Sequence, residues 1–190
     1  MQPFTFHLTT MKAITTLSLL LLGTLLFGCG DKLPKPTQKG ANTFGCKIDG
    51  KKWVPDGRKG LFSSLKPISG GFYAISPYPV YKRGIYLLTI SNDNQQVNLY
   101  LNDSKAKSYS LSIDTQPNPV NIYPSDYGYY QAGNGNTYIT SSYYTGSITI
   151  SKADTVTGII SGTFEFTAGD TKGQTVKITD GRFDINTRTL

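Results

Sequence analysis

Three residues limit the chemistry open to this sequence: His7, Cys29 and Cys46, its only histidine and its only two cysteines. His7 precedes an apolar leader and is expected to be lost with it, which leaves the mature chain without an imidazole. That excludes Ser-His-Asp and Cys-His catalysis, and histidine-bound zinc or copper. Cys29 ends the run Leu26-Phe27-Gly28-Cys29. An aliphatic residue, then a small residue, then cysteine is the pattern that bacterial lipoprotein processing needs. The Cys29 thiol takes a diacylglycerol as a thioether, Gly28 leaves room for the signal peptidase, and the freed amine accepts a further acyl chain. One acyl chain anchors marginally and two or more anchor stably. Cys29 is therefore the expected lipidation site, and a membrane reached through that anchor is the expected partner. Cys46 is left without a partner thiol or an activating histidine. It is expected to be a small buried hydrophobe.

Carboxylates offer little more. Glu165, the only glutamate, falls on a polar strand face. Asp154 and Asp170 fall in turns, where aspartate is common for local reasons. Asp180 and Asp184 flank an expected bulge. They suit an ion pair with Arg182 or Lys177, a calcium site, or the carboxyl pair of a histidine-free hydrolase. No loop has the ligand spacing of an EF-hand, and no phosphate loop, dinucleotide fingerprint or nucleophile elbow occurs. The expectation is a protein without catalytic residues, metal or cofactor, with the aspartate hydrolase as the opposing class.

The tyrosines are the remaining signal. All 13 lie between Tyr73 and Tyr144. Tyr123, Tyr127, Tyr129, Tyr130, Tyr138, Tyr143 and Tyr144 crowd a stretch rich in glycine. Flat amphipathic side chains on polar loops make contact surfaces at low entropic cost. These seven are the candidate ligand surface, for a glycan, a peptide or another envelope protein. The competing reading is that tyrosine suits half-buried strands, ring inside and hydroxyl at the rim. Trp53 is expected to be a core or rim anchor.

The elements that must position these groups are β-strands. Ile14 to Gly28 is too short to span a bilayer but suits a secretory signal, with Met11 the expected start. Residues 1–28 are read as signal peptide. Residues 29–42 are read as a lipidated flexible tether, too poor in apolar residues to fold and able to span about 40 Å. Residues 43–190 are read as one all-β domain. The formal net charge of +7 concentrates in the tether and first hairpin: Cys29 to Gly60 carries +5 and Leu61 to Leu190 only +1. A nucleic-acid binder would carry its bases on the folded face, so no nucleic acid is expected.

From Thr43 onward the pattern has period two. Asp49-Gly50 is a hairpin turn signal. Ile148 and Ile150 share a face, as do Ile160, Gly162, Phe164, Phe166 and Ala168. Val176 and Ile178 are followed by Phe183 and Ile185, so the inward positions switch from even to odd near Gly181, as at a bulge. Tyr86, Leu88 and Ile90 alternate, as do Val97, Leu99 and Leu101, and Tyr109, Leu111 and Ile113. Turn clusters, among them Gln116-Pro117-Asn118-Pro119, separate the runs. One-sided short strands indicate a single antiparallel β-sandwich or barrel-like domain.

The hairpin TFGCKIDGKKWVP, the strand Ile160-Ser161-Gly162-Thr163-Phe164 and the run Thr179-Asp180-Gly181-Arg182-Phe183 carry a resemblance. The chain is similar to a family of uncharacterised lipoproteins common in Bacteroidetes. The resemblance implies a lipid-anchored all-β envelope domain and transfers no activity, cofactor or catalytic residue. Gly30 after the acylated cysteine points to the outer membrane by the sorting rule of enteric bacteria, on a side that the sequence leaves open. The expected function is a non-catalytic structural, accessory or binding module.

Overall fold

The computed structural model describes residues 32–60, 64–75, 82–115 and 125–190. Cys29, Tyr123 and the Gln116–Pro119 turn cluster lie outside them. Among the described residues there are thirteen strands and no helix: β1 (Thr43–Ile48), β2 (Lys51–Trp53), β3 (Arg58–Lys59), β4 (Ser64–Leu65), β5 (Ile68–Ile75), β6 (Lys82–Thr89), β7 (Gln96–Leu101), β8 (Ser108–Ser110), β9 (Tyr127–Gln131), β10 (Thr137–Ile139), β11 (Gly146–Asp154), β12 (Ile159–Gly169) and β13 (Thr175–Asn186). β3 and β4 form a small ribbon. The other eleven belong to one antiparallel sheet, in the order β2-β1-β13-β12-β10-β9-β7-β6-β5, with β11 and β8 branching from β12.

The hairpin β1–β2 forms as its turn dictates. Asp49 and Gly50 have φ of +48° and +79°, the two positive values a type I′ turn requires. Cys46 then faces Trp53 across the pair. Phe44 and Cys46 point into the core, and Trp53 meets Phe44 edge-on with centroids 6.2 Å apart. The long strands β11, β12 and β13 follow the alternation. Ile148, Ile150, Ile160, Phe164, Phe166, Ala168, Val176, Ile178, Phe183 and Ile185 are all buried. The switch near Gly181 is a bulge, since Phe164 pairs with Gly181 while Phe166 pairs with Ile178. The extra residue includes Asp180, at φ +53°.

The sheet curls into two layers without closing into a barrel. Gly128 of β9 lies against the Phe166 ring, and Gly70 of β5 approaches Ile185 of β13. The two halves join through a single residue pair, Ile139 of β10 with Gly169 of β12. In β6 the expected face is reversed: Ile85, Leu87 and Thr89 are buried, and Tyr86 and Leu88 lie on the outer side. Tyr86 stands opposite Tyr100, which stands opposite Tyr127. This row of rings outweighs the apolar pattern there. Ile113, expected to continue the Tyr109 and Leu111 face, is exposed.

The flexible tether expected over residues 29–42 does not extend that far. Leu33 to Leu190 forms one compact unit. Residues 34–42 lie across the outer face of β13, and the Asp184 carboxylate holds them there. It accepts hydrogen bonds from the Thr37 hydroxyl and from the backbone N–H groups of Lys39 (3.1 Å), Gly40 (2.9 Å) and Ala41 (3.2 Å). Ser161 of β12 donates a fifth, at 2.7 Å. Consecutive N–H groups curled about an anion form a nest. Asn42 closes the segment, its side-chain oxygen accepting from the Asn186 N–H at 2.7 Å. The segment stays ordered through backbone donors, which its poverty in apolar side chains does not affect.

Cys46 is fully buried, and burial pushes its thiol up to about 12. The thiolate is the nucleophile, so Cys46 is expected to resist iodoacetamide in the folded protein and to react once denatured. Mass spectrometry before and after guanidinium treatment checks this.

Candidate functional site

The seven singled-out tyrosines do not share one surface. Strand alternation divides β9. Tyr130 points into the core, with its hydroxyl donating to Gln95 Oε1 at 2.8 Å and pushed up to about 12, chiefly by burial. Tyr127 is on the opposite face, yet buried, stacked on Tyr100 with centroids 4.7 Å apart. These two are structural, and the surface expected of them is corrected accordingly. Tyr143 is the reverse case, 88% exposed at a loop tip.

Tyr129 and Tyr144 do converge. They line an open cleft of about 430 Å³ beside the Ile139–Gly169 junction, where the two halves of the sheet meet. Thr137, Ser141 and Thr171 add hydroxyls to its wall, Asp114 and Asp170 add carboxylates, and among the described residues no lysine or arginine lines it. Each aromatic is held in place. Tyr129 donates to Gln131 at 3.2 Å. Tyr138 borders the cleft, but it stands opposite Tyr130 and packs its ring on it at 5.8 Å, on the core face, so the surface expected of it is corrected too. Tyr144 sits over Gly169 so closely that a Cβ there would fall 2.1 Å from its ring. Ser141 fixes the loop that carries Tyr144: its hydroxyl accepts the Tyr143 and Tyr144 N–H groups at 3.2 and 3.1 Å. Asp114 in turn accepts the Ser142 N–H and hydroxyl at 2.9 and 3.0 Å.

Two polar groups in the wall have capacity left. Asp170 Oδ1 accepts the Lys172 and Gln174 N–H groups of its turn. Among the described residues its Oδ2 has no partner. The Thr115 hydroxyl is buried and unpartnered among the described residues. Pre-set aromatic faces, an acceptor and hydroxyls suit a neutral, polyhydroxylated ligand. A larger hollow of about 650 Å³ lies between β5 and Leu190. Its wall mixes five aliphatic side chains with five polar ones, and among the described residues no aromatic side chain lines it.

The aspartates of the hydrolase alternative do not form a pair facing substrate. Asp184 is 1% exposed and its oxygens are occupied. Burial alone would raise its pKa, but the hydrogen bonds from Ser161, Thr37 and the Gly40 and Ala41 backbone prevail and bring it to about 2. Asp180 is on the surface, 2.8 Å from Lys47 Nζ. Asp154 caps its own turn through Val156 and Thr157. Among the described residues, no three histidine, cysteine, aspartate or glutamate side chains gather as a metal site would need.

The fold and the cleft together define an all-β protein with an open tyrosine-lined groove at the joint of a curled sheet. The chain belongs to a family described as a domain of unknown function (DUF6252), which matches residues 74–184, from within β5 to Asp184 in β13. No curated protein and no solved structure matches it. Sequence reasoning named Tyr129, Tyr138 and Tyr144. It missed Asp114, Thr115 and Gly169, which long-range pairing brings to the site. The turn aspartate Asp170 it had assigned a purely local role.

Proposed function

We propose that this protein is a non-catalytic binding module of the bacterial envelope, anchored by lipid on Cys29, and that the tyrosine cleft takes a neutral glycan. The convergence of Tyr129 and Tyr144 on one open groove carries the reading. Sugar C–H faces stack on aromatic rings, and sugar hydroxyls donate to a carboxylate such as Asp170. A wall whose described residues include no lysine or arginine disfavours anionic polysaccharides. The lipobox and the preceding apolar run support the anchor, and Gly30 supports the outer membrane.

Binding to an array of neutral glycans tests it. Tyr129→Ala and Tyr144→Ala are each expected to weaken binding about tenfold, the order of one aromatic stacking contact. Tyr143→Ala, at the rim, is expected to have a smaller effect. Binding undiminished in Tyr129→Ala/Tyr144→Ala protein, or no binding to any neutral glycan, overturns the reading.

A further inference from the structure

Docking of residues 34–42 on the domain changes how far the domain can stand from its anchor. Only Gly30, Asp31 and Lys32 separate Cys29 from Leu33, a reach of at most about 14 Å. The domain is thus held within a few Debye lengths of the lipid surface, where charge still acts. The part of the domain next to Leu33 has a distinct character. Leu33, Pro34 and Val54 meet over Gly45, where a Cβ would lie 2.8 Å from Pro34 and 3.3 Å from Leu33 and Val54. Val54 is 41% exposed. Lys35, which follows Pro34 in the chain, and Lys52, two positions before Val54, are exposed. Arg182 stands opposite Gly45 and reaches the Pro34 carbonyl at 3.4 Å. Lys47, opposite Lys52, is neutralised by Asp180.

We infer that this face, with Leu33, Pro34 and Val54 ringed by Lys35, Lys52 and Arg182, lies against an anionic phospholipid surface. The inference rests on the lipidation of Cys29 proposed above. The few residues between Cys29 and Leu33 keep the face near the bilayer, and its charges favour anionic headgroups, each basic residue adding attraction near the surface. The apolar spot enters the interface and the tyrosine cleft is left in solution.

The test uses acylated full-length protein reconstituted in vesicles. A fluorophore is placed at Val54→Cys or at Tyr143→Cys, and quenching by lipids labelled near the headgroup is read. The Val54 probe is expected to be quenched in vesicles containing phosphatidylglycerol and much less in pure phosphatidylcholine. Lys35→Glu/Lys52→Glu is expected to abolish the difference, and the Tyr143 probe is expected to stay unquenched in both. An acylated protein whose Val54 probe is unquenched, or quenched regardless of lipid charge and of Lys35→Glu/Lys52→Glu, overturns the inference and leaves the anchor standing. A purified protein whose mass shows no acyl chains overturns the anchor and the inference with it.

Discussion

Asp184→Ala is expected to destabilise the folded protein by about 3–5 kcal/mol, because it strands the buried Ser161 hydroxyl and four partly buried donors that now meet a charged acceptor. For a domain of this size that corresponds to a fall in melting temperature of roughly 10 °C. The change should also release the N-terminal segment, so the amides of Lys39, Gly40 and Ala41, protected in the parent, should exchange quickly. Asp184→Asn keeps an acceptor of similar shape and is expected to lose less. The pH dependence has a definite sign. The folded-state pKa is depressed from 3.8 to about 2. The stabilisation is therefore fully present above about pH 4 and is lost as pH falls toward 2. Urea titrations at pH 7, 4 and 2.5 should show the gap between parent and Asp184→Asn narrowing at the lowest pH. A variant as stable as the parent, with slow exchange at residues 39–41, would show that the carboxylate does not hold the segment.

A comparable loss, about 3–5 kcal/mol, is expected for Phe164→Ala. Phe164 is 4% exposed, and its ring lies 5.1 Å from Phe44, 6.2 Å from Phe166 and 6.2 Å from Phe183. These rings come from β1, β12 and β13, so the cavity would open where three adjacent strands share one packed cluster. Collapse is restricted because Gly181 already lies against the ring and the bulge beside it fixes the backbone. Phe164→Leu, which refills most of the volume, should lose much less. Equal losses for the two substitutions in denaturant unfolding would mean that the ring's packing is not what the cluster contributes.

These two residues mark what was legible in the sequence. Phe164 could be read from alternation alone, because a strand buried on one face repeats its apolar residues every second position. The bulge could be read for the same reason, as a change of parity near Gly181. Asp184 could not. Alternation put it on the outer face, where it is, and that implies solvent. Its burial comes from a segment whose contribution is backbone N–H groups, and these carry no side-chain signature. The tyrosines were half legible. Their crowding flagged the region, but alternation within β9 already separates Tyr130 from Tyr127 and Tyr129. Which of them face a cleft depends on the Ile139–Gly169 pairing, a contact between residues far apart in the chain.

The clasp on Asp184 also sets an order of events. Thr37 and Asp184 are 147 residues apart, and the acceptor sits on β13, the most C-terminal of the described strands. The segment around Thr37 therefore stays unclaimed until β13 has been synthesised. It is fastened only after β13 has found its place between β1 and β12. Late closure needs no separate control: the positions of Thr37 and Asp184 in the chain impose that order.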